Sequence, residues 1–226
     1  MINNNSDSFL EERLNKYDKW VKEGKIPFSS KVIPIKAAVE KKQWILPTEQ
    51  AIEILRNSRI FAVIDCGCRI RFKRCNNPLN VCFVINDIAD KYIEEKIGRR
   101  ITLQEAKKIL KKANEHGLIH LTIYNPSQYV YAICSCCECC CHDLQFLKKY
   151  NRSDLIAHSD YYAETDLKKC NECGACIKPC IFNAREMIKD KLRIDKNKCY
   201  GCGLCVIKCP EDAINLELRK NKKNII

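Results

Sequence analysis

The chain has 226 residues, of which 46% are hydrophobic, so it can build one large domain or two small ones around a real core. It carries 40 lysines and arginines against 28 aspartates and glutamates, which gives a formal net charge of +12, and it has 18 cysteines. No stretch approaches the roughly 18 apolar residues that a membrane span requires, which excludes a helical membrane protein.

The N-terminal residues are polar, include acidic side chains and contain no apolar core of a signal peptide. Exposed cysteine runs would be oxidised outside a reducing compartment. We therefore expect a cytoplasmic protein from an anaerobic or low-oxygen organism.

The first 64 residues predict two helices and two strands. The segment 27–34 is predicted to be extended by its prolines, a second helix is predicted from a cap at Thr48, and the β-branched run 60–64 predicts a buried strand. A first helix is predicted over residues 6–22, with a buried face formed by Phe9, Leu10, Leu14, Tyr17 and Val21.

Four cysteines follow the strand at 60–64 with the spacing C-x-C-x6-C-x6-C. Alternate positions on a strand point the same way, so Cys66 and Cys68 can share a metal. We interpret Cys66, Cys68, Cys75 and Cys82 as the ligands of one iron–sulfur cluster; zinc, or free or redox-active thiols, are the alternatives. Basic residues at 69, 71, 73 and 74 would offset the negative charge of such a centre.

Residues 84–97 predict a helix, and a capping box at 102–105 predicts another that closes at Gly117. This pair does not have the basic lining of a DNA-binding helix-turn-helix. His116 and His120, near its end, are interpreted as capping or packed histidines rather than metal ligands. Two strands are then predicted over 119–123 and 129–133.

The second of these strands runs into six cysteines within eight positions. Neighbouring side chains diverge, so the six thiols cannot all serve one cubane cluster. Some must point to a second metal centre, to the Cys66–Cys82 loop or to a reversible disulfide. The six candidate ligands are Cys134, Cys136, Cys137, Cys139, Cys140 and Cys141.

A helix over 142–150 and a polar connector over 151–160 are predicted to lead into the most informative stretch of the chain. Residues 170–180 and 199–209 each have the spacing C-x2-C-x2-C-x3-C, by which bacterial-type ferredoxins hold two [4Fe–4S] clusters. Zinc sites group cysteines in twos, which disfavours zinc knuckles here, as well as a disulfide scaffold. Gly174, Gly201 and Gly203 stand where the cysteine loops need a residue without Cβ.

The fourth cysteine of each run is expected to bind the other run's cluster. The predicted ligands are Cys170, Cys173, Cys176 and Cys209 for one cluster, and Cys199, Cys202, Cys205 and Cys180 for the other. Each oxidised cluster with its thiolates carries about −2, so two of them reduce the net charge to roughly +8. We therefore expect no nucleic-acid partner and interpret the lysines as a solvated surface.

The last 66 residues resemble two-cluster bacterial ferredoxins. Over residues 30–215 the chain is also similar to a group of 4Fe–4S dicluster proteins in which a cysteine-rich N-terminal part precedes a two-cluster module. The shared elements are V-I-P (32–34), L-P-x-E-x-A (46–51), C-x-C-R (66–69), E-A-x-x-I-L (105–110), G-L-I-H (117–120) and I-C-x-C-C-x-C-C-C (133–141). The resemblance implies iron–sulfur binding and electron transfer. Glu138 stands where the group usually has a small residue.

The sequence thus predicts an α+β fold: a cysteine-rich domain of helices around a small sheet over 1–160, and a ferredoxin-like two-cluster module over 161–226. The module is expected to have antiparallel strands near 161–165 and 213–218 and short helices after each cysteine run. The preferred function is single-electron transfer to or from a redox partner protein, through these two clusters and one or two more in the N-terminal part. The alternatives are a redox enzyme that reduces a small molecule at the Cys134–Cys141 run, and a redox-sensing or metal-handling protein.

Overall fold

The computed structural model describes residues 4–33 and 49–219, and these form a mixed α+β structure. The α-helices are α1 (Asn4–Lys22), α2 (Glu49–Asn57), α3 (Gly67–Phe72), α4 (Asn86–Glu94), α5 (Leu103–Glu115), α6 (His142–Tyr150) and α7 (Leu204–Ile207). The strands are β1 (Ser30–Ile33), β2 (Phe61–Ile64), β3 (Cys82–Ile85), β4 (Gly98–Arg100), β5 (Ile119–Asn125), β6 (Tyr129–Cys136), β7 (Ile156–Ala157), β8 (Tyr161–Thr165), β9 (Arg185–Ile188), β10 (Lys191–Ile194) and β11 (Ile214–Leu218).

A seven-stranded sheet in the order β4-β2-β3-β6-β5-β1-β7 forms the centre of the N-terminal part. Its strands pair antiparallel except for β1 and β7, which are parallel. β5 and β6 form the longest pair and are joined by a turn at 126–128. The three central strands β2, β3 and β6 therefore alternate in direction, which brings the end of β2 and the end of β6 beside the start of β3.

Both faces of the sheet are covered, because side chains along a strand alternate between faces. Val63, Phe83 and Ile133 pack on one face against the apolar sides of α2 and α5. Ala62 and Val84 lie in the core of the opposite face, which also includes residues of α4 and α6.

The predicted helix near the N-terminus is confirmed as α1. Its apolar face packs with Phe146 of α6 and with Tyr124 and Leu155, and all five residues of the predicted buried face belong to this cluster. Ion pairs of Lys149 with Asp7 and of Arg152 with Asp18 join the two ends of this contact. Within the two described segments of the chain, no helix is long and apolar enough to cross a membrane.

The C-terminal part contains two small antiparallel sheets. β8 pairs with β11, which confirms the strand pair predicted near 161–165 and 213–218, and β9 pairs with β10. Tyr200 stacks on Phe182 at 4.4 Å and on His158 at 4.1 Å. Phe182 and Tyr200 also belong to the core cluster on the second face of the large sheet. The cysteine loops are thus packed directly against the N-terminal part.

Several local predictions differ from the structure. The helix predicted over 84–97 begins only at Asn86, because the preceding apolar run forms β3, which is buried on both faces. The sheet is larger than expected, and the predicted connector contributes β7 to it. The first cysteine run is followed by the β9–β10 hairpin instead of a helix, and α7 lies within the second run. The predicted cap at Thr48 and the residues Pro34 and Pro47 lie outside the described residues.

His120 lies on β5 and is completely buried, as predicted for a packed histidine. Its Nδ1 lies 3.0 Å from Ser135 Oγ, and its Nε2 lies 2.6 Å from Asn114 Oδ1. Burial lowers the pKa of His120 from its ordinary 6.5 to about 4. The imidazole is therefore neutral at pH 7 and links β5 to β6 and to the end of α5.

This histidine should make stability fall in weak acid. Between pH 6.5 and pH 4 the unfolded chain binds a proton at residue 120 that the folded chain rejects, so the free energy of unfolding decreases as the pH falls through this window, by about 3 kcal/mol in total. Above pH 6.5 the contribution is constant. Urea unfolding of the wild type and His120→Gln at several pH values should show a shallower pH dependence in the variant. His116→Gln, at an exposed position, is the control, and equal slopes in all three proteins would refute the prediction.

Candidate metal centre

Six cysteines gather around a cavity of about 320 Å³ where β2 and β6 end and β3 begins, and a seventh, Cys137, also lines it. The end of β2 leads to Cys66 and Cys68, β3 starts at Cys82, and β6 ends with Cys134 and Cys136, so the antiparallel order of these strands brings their thiols together. The sixth comes from the residue before α6. We call this the six-thiol cavity; its cysteines are Cys66, Cys68, Cys82, Cys134, Cys136 and Cys141.

Neighbouring thiols around this cavity interact in a continuous series. Hydrogen bonds from Cys68 and Cys82 lower the pKa of Cys66 to about 2, and hydrogen bonds from Cys136 and Cys82 lower that of Cys134 to about 5. The same contacts raise the pKa of Cys82 and Cys136, which act as the protonated partners. These contacts therefore favour the thiolate form, which is the form that binds metals, at Cys66 and Cys134.

A second group of four cysteines is more compact. Their sulfur atoms all lie within 4.8 Å of one another, and Cys75 Sγ is 3.7 Å from Cys137 Sγ and 3.9 Å from Cys140 Sγ. Four sulfurs around one tetrahedral ion with metal–sulfur bonds of about 2.3 Å lie about 3.8 Å apart. We call this group the four-thiol site; it consists of Cys75, Cys137, Cys139 and Cys140.

Arg69 lies between the two groups and is 2% exposed. Its Nη atoms donate to the carbonyl oxygens of Pro78, at 2.9 Å, and Ser135, at 2.6 Å. Burial alone would lower the pKa of Arg69, but the sulfurs of Cys66 and Cys137 raise it above its ordinary value. A fixed positive charge therefore contacts one cysteine of each group.

His142 is the first residue of α6 and faces the six-thiol cavity. Its Nδ1 lies 3.1 Å from Cys68 Sγ, and its Nε2 lies 3.1 Å from Oδ2 of the fully buried Asp143. Tyr17 of α1 stacks on the imidazole at 6.0 Å, and Ser29 donates to Asp143 Oδ1 at 2.8 Å. The histidine is thus oriented as a further metal ligand or as a proton donor.

The structure groups the N-terminal cysteines differently from the sequence-based interpretation. Cys75 lies with Cys137, Cys139 and Cys140 instead of with Cys66, Cys68 and Cys82. Cys66 and Cys68 do meet, but for another reason: β2 ends before them and Cys66 is the N-cap of α3. Because β6 ends at Cys136 and the chain then turns, the six-cysteine run divides between both sites, as the divergence of neighbouring side chains required.

The Glu138 carboxylate, inside this run, points away from the sulfur atoms. It forms an ion pair with Lys148 of α6, and the Glu138 carbonyl oxygen accepts from Gln145 Nε2 at 2.6 Å. A larger residue is tolerated at this position because its side chain reaches the surface, where the run bends between the four-thiol site and α6.

One of the two predicted C-terminal ligand sets surrounds a small cavity. Its lining includes all four of these cysteines, among them Cys180 from the first run, together with Arg185 and Tyr200. The four are Cys180, Cys199, Cys202 and Cys205. Burial raises the pKa of Cys202 and Cys205.

The other predicted set is Cys170, Cys173, Cys176 and Cys209, of which Cys173 is exposed and Cys176 is buried. Arg185 lies between this set and the small cavity: its Nη1 is 3.8 Å from Cys176 Sγ and 2.9 Å from Thr165 Oγ1. Burial lowers the pKa of Arg185, but Cys205 and Cys176 raise it above its ordinary value. Sequence reasoning missed this arginine; its only signal was a basic residue five positions after a cysteine run.

The predicted need for glycine in the cysteine loops is confirmed at Gly174, Gly201 and Gly203, which all have positive φ. The constraint is strongest at Gly201, with φ +71°. A Cβ there would lie 2.0 Å from the carbonyl oxygen of Tyr161 in β8. The loop that carries Cys199 and Cys202 therefore touches β8 with its backbone.

A comparison with protein families matches residues 192–215 to a 4Fe–4S binding domain. This segment contains Cys199, Cys202, Cys205 and Cys209, and the match is to a single such motif. A comparison with curated proteins finds no match. Together, the 4Fe–4S binding domain and the partly buried four-thiol site indicate an iron–sulfur protein with at least one [4Fe–4S] cluster.

Gly201→Ala should disrupt the matched domain. A methyl group at this position cannot fit without moving Tyr161 or the cysteine loop, and the positive φ adds strain. We expect lower iron content and a lower thermal unfolding midpoint in anaerobically purified protein. Gly24→Ala is the matched control, because Gly24 also has a positive φ of +66° but a Cβ there meets no atom within 4 Å. Equal iron content in both variants would contradict the inferred close contact.

Proposed function

We propose that this protein transfers single electrons through two [4Fe–4S] clusters held by residues 161–226, together with further cysteine-bound centres in residues 1–160. The observation that carries the proposal is the 4Fe–4S binding domain at 192–215, packed directly on a sheet whose edge bears ten more cysteines. The predicted ligand exchange, with Cys180 completing the cluster of Cys199, Cys202 and Cys205, is supported by the cavity that these four residues line.

A continuous route for electrons would run through the molecule. A cluster bound by the exposed Cys173 would lie near the surface, and Arg185 lies beside sulfurs of both C-terminal sets. Cys202 then belongs to the same buried cluster of residues as Cys136 and Cys141 of the six-thiol cavity. Such an arrangement suits a protein that accepts an electron at one surface and delivers it at another.

A redox enzyme that reduces a small molecule beside the Cys134–Cys141 run is the second candidate function. One observation favours it: the six-thiol cavity has room beside its sulfurs, and His142 lies at hydrogen-bonding distance from Cys68. A positioned imidazole could supply the proton that a reduction consumes. In that case the C-terminal clusters would supply the electrons.

The electron-transfer proposal predicts the effect of Cys202→Ser. Loss of this ligand should remove on the order of four iron atoms per chain and one reduced-state EPR signal. The dithionite-reduced variant should then reduce an added one-electron acceptor more slowly under anaerobic stopped-flow conditions. Glu211→Ser, at an exposed position beyond the same cysteine run, is the control. Unchanged iron content and EPR spectra in Cys202→Ser would refute the proposed cluster.

A basic cleft next to the four-thiol site is a suitable docking surface for the redox partner. The cleft has a volume of about 710 Å³ and lies between the four-thiol site and the C-terminal part. Cys137 and Cys139 of the four-thiol site line it, which brings a metal site close to the surface. Its exposed basic residues are Arg74, Lys148, Lys149, Lys178 and Lys208. We propose that the partner presents an acidic patch to this cleft.

This docking mode predicts a salt-dependent rate. Electron exchange with an acidic one-electron carrier, such as a plant-type ferredoxin used as a probe, should slow steeply as ionic strength rises. The double variant Lys178→Glu/Lys208→Glu should slow the exchange at low salt and flatten the salt dependence. The double variant Lys107→Glu/Lys111→Glu, at two exposed positions of α5, carries the same change in net charge and is the control. Equal effects of the cleft and control variants would exclude the cleft as the docking site.

A further inference from the structure

The six-thiol cavity and the four-thiol site differ in how their sulfur atoms are arranged. Among the described residues, only the four-thiol site is a group whose sulfurs all lie within 4.8 Å of one another. The six thiols instead form an open series around a cavity of about 320 Å³, with contacts between successive neighbours. A single tetrahedral ion would need four of these sulfur atoms about 3.8 Å from one another. The six sulfurs contain no such compact group.

We propose that the six-thiol cavity holds a polynuclear iron–sulfur cluster of its own, separate from any metal in the four-thiol site. In a polynuclear cluster each thiolate binds a different iron atom, so the ligand sulfurs lie farther apart than those around a single ion. An open ring of thiols around a space large enough for several atoms meets this requirement. The inference deepens the proposed function, because it assigns one of the N-terminal centres of the electron route to six named cysteines.

The charge of the surroundings supports the same centre. Arg69 is buried beside Cys66, Cys137 and Cys82, which all line the cavity, and its Nε has no hydrogen-bond partner. A buried guanidinium requires an anionic neighbour, because an unpaired buried charge is strongly destabilising. Cysteine thiolates fixed by a metal provide that negative charge permanently, whereas neutral thiols do not.

The cavity also offers more donors than a four-iron cluster uses. The six thiols, Cys137 and the imidazole of His142 line the same space, and Cys66, Cys82, Cys136 and Cys141 are the buried members of the six. The partly exposed Cys68 lies next to His142, so this side of the cavity is where a ligand could exchange. Three segments of the chain, 66–68, the start of β3 and 134–141, supply the six cysteines, and a cluster would tie them together as a structural cross-link.

The first experiment uses the wild-type protein, purified without oxygen. Native mass spectrometry should give a mass that includes iron and inorganic sulfide beyond what the C-terminal clusters account for. Alkylation of the folded protein followed by peptide mapping should leave the four buried cavity cysteines, Cys66, Cys82, Cys136 and Cys141, unmodified until the metal is removed by chelation under oxidising conditions. Alkylation of these thiols in the intact protein, zinc in place of iron, or disulfides among them would overturn the proposal.

The second experiment separates the two N-terminal sites. The double variant Cys82→Ala/Cys136→Ala should lose iron and inorganic sulfide together, and one component of the Mössbauer spectrum. The matched variant Cys75→Ala/Cys140→Ala, at two residues of the four-thiol site that do not line the cavity, should leave that component in place. Circular dichroism and the EPR signals of the C-terminal clusters show whether each variant is folded.

The outcomes also distinguish this inference from the proposed function. If the C-terminal EPR signals are normal and the cavity variant keeps all its iron and sulfide, the cavity cluster is wrong while the electron-transfer proposal stands. If the C-terminal signals are missing from the wild type, the proposed function fails whatever the cavity contains.

Discussion

The antiparallel order of β2, β3 and β6 is the constraint on which the N-terminal sites depend. Each of these strands runs antiparallel to its neighbour. The C-terminal end of β2, the N-terminal end of β3 and the C-terminal end of β6 therefore lie side by side. Alternation along each strand then decides the face, and Cys82, Cys134 and Cys136 point to the same face as Val84 and Ala132. Cysteines separated by up to 75 positions are thereby gathered by ordinary strand pairing, before any metal is considered.

Two buried arginines have corresponding positions in the two halves of the chain. Arg69 lies between the six-thiol cavity and the four-thiol site, and Arg185 lies between the two C-terminal sets. Each donates to backbone carbonyl oxygens of neighbouring segments and keeps a positive charge among sulfur atoms. An iron–sulfur cluster with its thiolates is negative, so a cation at each boundary reduces the repulsion between adjacent centres. In the proposed arrangement, the two arginines would allow several anionic centres to share a small core.

Features that depend on neighbouring residues in the chain were predicted correctly from the sequence. The capping box at 102–105 was predicted, and Thr102 Oγ1 does accept from the backbone NH of Glu105 at 3.2 Å. The helix over 142–150 and the glycines of the cysteine loops were also found as predicted. The grouping of the N-terminal cysteines was not, because it depends on strand pairing over long distances. Cys75 is close in sequence to Cys68, but it lies in the loop after α3 and belongs to the four-thiol site, whereas Cys68 lines the six-thiol cavity.

The strand β3 shows most clearly why the local signal failed. Its four residues are all buried, so it has no alternation of polar and apolar side chains and cannot be distinguished by periodicity from the start of a helix. Only the central position of β3 between β2 and β6 explains its composition. Because β3 lies between β2 and β6, the Cys82 thiol contacts both Cys66 and Cys134.

Contacts between the N-terminal and C-terminal parts hold one of the predicted ligand loops in place. Tyr200, between two predicted cluster ligands, is held on both faces by His158 and Phe182, and its carbonyl oxygen accepts from the backbone NH of Ser159 at 3.0 Å. The ligand loop is therefore shaped by aromatic stacking and by β8 as well as by any metal. Preorganised ligands change little in position when a cluster gains or loses an electron, and such rigidity favours rapid transfer. Because the stack belongs to the core on the cysteine-bearing face of the large sheet, the same contacts that shape the C-terminal loop also fix its distance from the six-thiol cavity.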